Sequence, residues 1–88
     1  MTIYCVYIVE YYQNNIKKYY TGYTNNPKRR KKEHFYEKTT KSLKNKRCIE
    51  MRIIKYFISQ KEAMRYEKIV KKKHQKYKIR LFQAGKKV

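Results

Sequence analysis

Aspartate is absent from this sequence, and acidic side chains of any kind are scarce. The 88 residues include six acidic side chains, all of them glutamates. A site that holds two metal ions needs several carboxylates close together, so that design is not expected here. A single ion held by one glutamate, with its other ligands from water or phosphate oxygens, is compatible with this composition and suits Mg²⁺.

Long apolar runs and paired cysteines are also missing. No run approaches the ~18–20 apolar residues that span a bilayer, so no membrane partner is expected. The N-terminal stretch MTIYCVYIVEYY lacks the basic flank and the small-residue cleavage site of a secretion signal. Cys5 and Cys48 have no CxxC spacing, and we expect them to be buried, reduced thiols, with a disulfide or a metal pair as the alternative. These absences predict an intracellular protein, cytoplasmic or nucleoid-associated.

The length bounds the architecture. A chain of 88 residues forms one small domain that buries only about 60–65% of its unfolded surface. We find no internal repeat and no linker. We expect a domain over residues 1–83, followed by a basic tail over residues 84–88 that is frayed.

Positive charge is what the chain has in excess. It carries 25 lysines and arginines and a formal net charge of +19. Such a charge favours a polyanionic partner, most simply nucleic acid. AT-rich codons are an alternative origin of the composition, since they also favour the many Lys, Asn, Ile and Tyr residues. Whatever the origin, a domain with this charge attracts nucleic acid.

Hydrophobic periodicity and turn residues predict an α+β fold. β-branched and aromatic runs predict strands over residues 3–12, 16–23 and 48–57, with a hairpin turn at Gln13-Asn14-Asn15. Asn26 as a cap before Pro27 predicts a helix over residues 27–36, and Ser59 in a capping box with Glu62 predicts one over 59–73. A last short helix is expected over residues 75–82. Residues 37–47 are expected to form a polar loop or a short helical turn. The order ββαβα(α) indicates a small three-stranded, mostly antiparallel sheet flanked by helices.

Alternation within the third predicted strand assigns its faces. Successive side chains of a strand point to opposite sides of the sheet. Ile49, Met51 and Ile53 are therefore expected to point one way, and Glu50 and Arg52 the other.

The first predicted helix carries an arginine and a histidine on one face. Arg30 and His34 are four residues apart and therefore neighbours on the helix surface. A guanidinium donates in pairs to a phosphate and keeps its charge, and a histidine can transfer a proton. The alternatives are that Arg30 is one more solvated cation of the run KRRKK and that His34 is structural.

A glutamate lies on the apolar side of the second predicted helix. At 100° per residue, Ala63, Tyr66 and Val70 form the apolar face, and Glu67 falls within that arc. An unpaired buried carboxylate is costly, so Glu67 needs a partner. That partner is either a metal ion or a lysine such as Lys71.

Two tyrosines lie on the strands of the predicted hairpin and could point toward the first helix. A tyrosine with a pKa near 10 acts as a general base at neutral pH if cations lower its pKa by roughly 3 units. Arg30, a lysine and a metal ion could together do this for Tyr7 or Tyr20. Because the chain has eleven tyrosines, a packing role is the alternative for each.

In combination, these patterns resemble the GIY-YIG nuclease superfamily. The two motifs appear as Cys5-Val6-Tyr7 and Tyr20-Thr21-Gly22, and the arginine that follows the motif glycine falls on Arg30. The stretch YTGYTNNPKRRKKEH is similar to the small, stand-alone, single-domain branch of that superfamily. The downstream pattern of that branch is present at Ser59, Glu62, Ala63, Glu67 and Lys71. The resemblance covers about residues 3–82.

The resemblance implies a metal-dependent endonuclease that hydrolyses DNA phosphodiester bonds. It implies that Tyr7 is the leading candidate for the base that activates the attacking water, with Tyr20 beside it in an assisting role. Gly22 would let the backbone pass close to the first helix. Arg30 would stabilise charge on the phosphate in the transition state.

The resemblance also implies the remaining site residues and the partners. His34 would support the phosphate or the tyrosines, and Glu67 would hold one divalent ion, Mg²⁺ or alternatively Mn²⁺. The partner would be duplex or structured DNA, with RNA not excluded, and no small-molecule cofactor is expected. We expect a monomer or a weak homodimer. The cations expected to contact nucleic acid are Lys28, Arg29, Lys31, Lys32 and Lys71.

The sequence departs from the family pattern in three ways. Cys5 replaces the first-motif glycine, and no asparagine follows Asn45, although many members have one late in the domain. A separate DNA-recognition domain does not fit in a chain of this length, so we expect selection of DNA by shape or through a partner. A non-catalytic nucleic-acid-binding module on the same fold is therefore the alternative function.

Overall fold

The computed structural model describes residues 1–36 and 46–88. The elements, in chain order, are β1 (Tyr4–Gln13), β2 (Ile16–Thr24), α1 (Pro27–Phe35), β3 (Lys46–Phe57), α2 (Gln60–Lys71), α3 (Gln75–Ala84) and β4 (Lys86–Lys87). The α+β class is confirmed, and the predicted helices and first three strands are present within a few residues of their expected bounds. Most of the predicted 37–47 loop lies outside the described residues. No helix in the described part of the chain is long and apolar enough to cross a membrane.

In the described part of the chain the antiparallel sheet has four strands in the order β2-β1-β3-β4, and not the three predicted. The extra strand, β4, pairs with Arg52 and Ile53 of β3, and the Val88 backbone N–H donates to the Met51 carbonyl at 3.0 Å. The expectation of a frayed tail is therefore wrong. Two lysines carry no apolar periodicity, so the pairing of β4 depends on the neighbouring strand and not on its own sequence.

The β1–β2 hairpin turns at two asparagines, as predicted. Asn14 has φ of 52° and Asn15 has φ of 64°. Asparagine tolerates this left-handed region better than most residues, and positive φ at both central positions matches the right-handed twist of the paired strands. The turn fixes a register in which Tyr7 faces Gly22 and Val9 faces Tyr20.

Strand β3 departs from simple alternation. Met51 is fully buried and Ile53 is 8% exposed, but Ile49 is 42% exposed. The register with β1 shifts beside Ile49, since Glu10 faces Glu50 whereas Tyr11 faces Cys48. A β-bulge of this kind turns the extra residue out of the alternating pattern. The prediction that Ile49 shares the buried face of Met51 is therefore wrong.

The core lies on both faces of β1, the strand between β2 and β3. On one face, Tyr7, Val9 and Met51 form a cluster that Phe35 of α1 covers. On the other face, Ile8 packs with Val70 of α2 and Phe82 of α3. Each fully buried side chain of this size contributes roughly 1.5–3 kcal/mol relative to an exposed one. Helix α1 is thereby held on the same side of the sheet as Tyr7.

Side-chain caps fix where the two helices that flank the hairpin begin. The Asn26 side chain accepts a hydrogen bond from the Arg29 backbone N–H at 3.1 Å, and Pro27 occupies the first turn. The Ser59 hydroxyl accepts from the Glu62 backbone N–H at 3.4 Å. Both caps were predicted from the sequence, and such a cap stabilises a helix by about 1 kcal/mol. They set the starting points from which Arg30 and Glu67 project.

Candidate active site

An open cleft of about 540 Å³ lies beside β2, the edge strand of the sheet. Its walls come from β1, β2, α1 and α2. Five of the site residues predicted from the sequence line it: Tyr7, Tyr20, Gly22, Arg30 and Glu67. Their positions span 60 residues of sequence, and the sheet register and the two helix starts bring them together.

Tyr7 closes the inner end of the cleft. The residue is 1% exposed, and its hydroxyl oxygen lies 2.9 Å from His34 Nε2. Burial raises the pKa of Tyr7 above its ordinary value of 10.0, and the nearby Tyr20 raises it further, whereas Arg30 lowers it. Arg30 therefore acts in the expected direction but is outweighed by burial. In this arrangement Tyr7 is a neutral phenol at physiological pH.

The His34 ring packs close to the rings of Tyr7 and Tyr20. Its ring centroid is 5.7 Å from that of Tyr7 and 5.5 Å from that of Tyr20. Burial lowers the pKa of His34 below 6.5, and the charge of Arg30 lowers it further. His34 is therefore neutral near pH 7. Because both groups are neutral, which of them donates in the hydrogen bond between the Tyr7 hydroxyl and Nε2 depends on which ring nitrogen of His34 carries the proton.

Gly22 is required by the close approach of Tyr7. The two residues face each other across β1 and β2. A Cβ atom on residue 22 would lie 2.5 Å from the Tyr7 hydroxyl oxygen and 2.7 Å from its ring carbon Cζ. The motif glycine thus leaves the space that the aromatic ring fills.

Replacing Gly22 by alanine is expected to destabilise the protein by ~1–3 kcal/mol, the usual cost of overpacking a core. The Tyr7 ring cannot swing away freely, since it is buried and its hydroxyl is bonded to His34. A fall in the denaturant midpoint of Gly22→Ala checks this. A midpoint equal to that of the wild type would show that the backbone adjusts at no cost.

Arg30 presents unused donors to the cleft. Its Nε lies 3.3 Å from Glu33 Oε1 within α1, which is close enough for an ion pair. The N–H does not point at that carboxylate, so Nε is a buried donor with no hydrogen-bond acceptor among residues 1–36 and 46–88. About a third of the side chain is exposed. Arg30 thus keeps a donor that an anion in the cleft could accept from.

Glu67 is paired with Lys71 in this structure. The Glu67 side chain is 13% exposed, and its Oε1 lies 3.1 Å from Lys71 Nζ, one helical turn away. The Lys71 ammonium also lies 5.7 Å from the centroid of the Tyr20 ring. The ion pair with Lys71 that the sequence allowed is therefore present. The metal-ligand hypothesis also remains, because the Glu67 carboxylate lines the cleft.

The donor set suits one weakly chelated ion. The part of the chain that the structure describes contains no group of three or more His, Cys, Asp or Glu side chains able to hold a metal. Glu67 is the carboxylate that lines the cleft among those residues. Mg²⁺ often keeps several waters and binds one or two carboxylates together with substrate phosphates, so a lone glutamate fits this ion.

The geometry agrees with the match to known protein families. A family model described as the GIY-YIG catalytic domain matches residues 3–80. The chain belongs to the GIY-YIG family. GIY-YIG domains are nuclease domains that act on DNA and generally use a divalent metal ion. No match was found among curated proteins or among solved structures.

Other residues of this GIY-YIG domain line the cleft without having been predicted. They are Tyr4, Tyr23, Thr24, Asn25 and Gln60. The Gln60 side-chain amide donates to the Tyr23 hydroxyl at 3.4 Å across the cleft rim. One signal was available for Gln60: it precedes Glu67 by seven residues, about two helical turns, and so shares its face of α2. Tyr23, Thr24 and Asn25 could have been predicted as cleft residues because they directly follow Gly22 of the motif.

The predicted DNA-contacting cations of the GIY-YIG domain occupy different environments. Lys28, Arg29 and Lys32 are exposed on α1. Lys31 is half-buried, and its Nζ donates to the Val88 carbonyl oxygen at 2.6 Å, which ties α1 to the residue after β4. Lys31 is thus engaged in a contact within the protein. Contact of these cations with nucleic acid stays a prediction.

Proposed function

We propose that this protein is a metal-dependent endonuclease that hydrolyses DNA phosphodiester bonds in the cleft beside β2. The observation that carries the proposal is the convergence of Tyr7, Arg30 and Glu67 on one cleft. A proton acceptor, a fixed cation and a carboxylate are the three elements that water needs to attack a phosphate. A protein that only binds nucleic acid has no use for all three together.

We assign phosphate binding to the cationic side chains Arg30 and Lys71. The Arg30 donor without an acceptor among the described residues supports this role, because a phosphate oxygen would satisfy it. As the phosphorus becomes pentacoordinate, charge grows on its oxygens, and a preorganised guanidinium stabilises that charge more than it stabilises the bound substrate. Lys71 adds a second positive charge at the same cleft.

Water activation is assigned to a Tyr7–His34 pair. In the proposed step, the water oxygen bonds to phosphorus and its proton passes to the Tyr7 hydroxyl oxygen, while the Tyr7 proton passes to His34 Nε2. The bond from phosphorus to the leaving oxygen breaks, the leaving oxygen takes a proton from solvent, and the new imidazolium later returns its proton to solvent. This relay needs no stable tyrosinate, which agrees with the raised pKa of Tyr7 and the lowered pKa of His34.

Glu67 would hold the divalent ion. When bound, such an ion supplies charge stabilisation at the phosphate and at the leaving oxygen. Lys71 holds Glu67 Oε1 at 3.1 Å in this structure, so a divalent ion would share the Glu67 carboxylate with this ammonium or compete with it.

One observation favours the alternative, a module that binds nucleic acid without cutting it. Tyr7 is 1% exposed, and a base buried this deeply is hard for water to reach. The alternative retains the cationic surface and the fold, and it requires neither the tyrosine nor the glutamate.

Nicking of supercoiled plasmid distinguishes the two functions. We expect the purified protein to convert supercoiled plasmid to open circles with Mg²⁺ or Mn²⁺, and to stop when a chelator is added. Binding to the same plasmid should persist with the chelator, because the basic surface does not depend on the ion. Tight binding without nicking in either ion would establish the binding module instead.

A further inference from the structure

A second cavity lies at the turn end of the β1–β2 hairpin, away from the cleft. It has a volume of about 410 Å³ and is lined by Tyr12, Asn14, Asn15 and Arg47. Together with Lys17, these residues are called the turn-end surface. None of them belongs to the site described above.

The sheet register places a tyrosine between two cations. Tyr12 of β1 faces Lys17 on β2 and Arg47 on β3, so the three side chains share one face of the sheet. Lys17 Nζ lies 5.7 Å from the centroid of the Tyr12 ring, and Arg47 Cζ lies 5.4 Å from it. The cations flank the ring, which remains partly exposed where it lines the cavity.

The polar groups of the turn-end surface are available to a ligand. Within residues 1–36 and 46–88, the Tyr12 hydroxyl and the side-chain amides of Asn14 and Asn15 make no hydrogen bond, and Arg47 makes no ion pair. Lys17 is partly neutralised by Glu10, whose Oε2 lies 3.8 Å away. The net charge of the surface is still positive, since Arg47 is not neutralised in this way.

An aromatic ring flanked by cations is suited to an unpaired nucleotide. The ring offers a face on which any base stacks, the cations attract the adjoining phosphates, and amides bond base edges. In a duplex the bases stack on one another, so Tyr12 would find no partner there. We infer that the turn-end surface binds an unpaired stretch of nucleic acid, with a base stacked on Tyr12 and a phosphate bound by Arg47.

This inference rests on the proposed function and adds a substrate class to it. Tyr7 and Tyr12 are five residues apart on β1, or ~17 Å at 3.3–3.4 Å per residue along the strand, and because successive side chains alternate they lie on opposite faces of the sheet. The turn-end surface would therefore hold the strand after it leaves the scissile phosphate and crosses the β2 edge of the sheet. The substrate is thereby expected to carry an unpaired region next to the cutting site.

Fluorescence anisotropy with labelled DNA tests the assignment, in chelator to prevent cutting and at one ionic strength. The probes are a single strand of about ten nucleotides, within the site sizes typical of such surfaces, and a duplex of the same sequence. We expect Tyr12→Leu to weaken single-strand binding by about 5- to 150-fold, the range that follows from losing one base–aromatic stack. Tyr12→Phe keeps the ring and should bind like the wild type. Duplex affinity should stay unchanged in both variants.

Tyr77 provides a matched control. It is 43% exposed and has the Lys73 ammonium 5.5 Å from its ring centroid, yet it lies on α3 and does not line the turn-end cavity. Tyr77→Leu should leave both affinities unchanged. Arg47→Gln tests the phosphate contact separately and leaves the Tyr12 ring in place. Losing one phosphate contact should lower the magnitude of the slope of log affinity against log salt concentration by ~0.7 for single-strand binding.

The outcomes separate this inference from the proposed function. Equal losses of single-strand and duplex affinity in Tyr12→Leu, or no loss at all, overturn the turn-end surface as a single-strand site, even if plasmid nicking is intact. Nicking that fails in the wild type while Tyr12→Leu still loses single-strand affinity overturns the nuclease and retains the surface. A selective loss in Tyr12→Leu, absent in Tyr77→Leu, supports the inference.

Discussion

Glu67→Gln is expected to reduce the rate of plasmid nicking by ~10²–10³-fold at saturating DNA, the scale of removing one electrostatic stabiliser from a reacting centre. The substitution keeps the shape of the side chain and removes its negative charge. The described part of the cleft then has no carboxylate for a divalent ion. DNA affinity should be equal or slightly higher, since the change adds one unit of net positive charge. Rates from single-turnover nicking and affinities from anisotropy check the two expectations.

Glu62→Gln is the matched control for Glu67→Gln. Glu62 lies in the first turn of the same helix, is exposed, and does not line the cleft. Its substitution should leave nicking at the wild-type rate. Calorimetric titration with Mn²⁺ gives a second readout, in which Glu67→Gln loses the binding that Glu62→Gln retains. Equal activity of the two variants would remove Glu67 from the metal site and leave its contact with Lys71 as a structural ion pair.

Tyr7→Phe is expected to lower the nicking rate by ~10²–10⁴-fold, the contribution typical of a positioned general base. The ring still fills the space opposite Gly22, so the fold should survive. One cost remains, because His34 Nε2 loses its hydrogen-bond partner at 2.9 Å. An unsatisfied buried polar group costs ~1–3 kcal/mol, and the variant must therefore be assayed well below its melting temperature.

Tyr20→Phe is the comparison that decides between the two tyrosines. Tyr20 also lines the cleft and is 37% exposed, with its ring centroid 6.4 Å from that of Tyr7. If Tyr7 is the base, Tyr20→Phe should retain more activity than Tyr7→Phe. The reverse order would make the exposed tyrosine the base and leave Tyr7 as a core residue.

The pH profile of nicking provides a further check on the relay. Neutral His34 accepts the Tyr7 proton, and burial lowers the pKa of His34 below 6.5. Nicking should therefore be constant through neutral pH and fall as acidification protonates His34, with a midpoint below 6.5. The same lowered pKa means that this histidine stabilises the fold above pH 6.5 and loses that contribution as the pH falls through its folded-state pKa.

Much of the site was accessible from the sequence because its residues belong to regular elements. The asparagine turn fixed which β2 residues face Tyr7, and the caps at Asn26 and Ser59 fixed where the helices begin. Once those starting points are known, helical spacing places Arg30 and Glu67 without further information. The α+β fold and the GIY-YIG family were both predicted and are confirmed.

The features that escaped prediction depend on contacts distant in sequence. Strand β4 exists because β3 offers an edge, and the bulge at Ile49 arises from pairing with β1. The engagement of Lys31 joins residues 57 positions apart. The pKa of Tyr7 depends on how far burial raises it and how far Arg30 lowers it. Both effects arise from the packed site and cannot be predicted from the sequence of β1 alone.

The most direct test of the nuclease assignment is single-turnover nicking of supercoiled plasmid with Mg²⁺ by wild type, Tyr7→Phe and Glu67→Gln, with DNA affinity measured on the same preparations. We expect that the wild type nicks, and that both variants bind DNA as tightly but nick at least ~10²-fold more slowly. Wild-type protein that binds but never nicks, or variants that nick at the wild-type rate, would contradict this assignment.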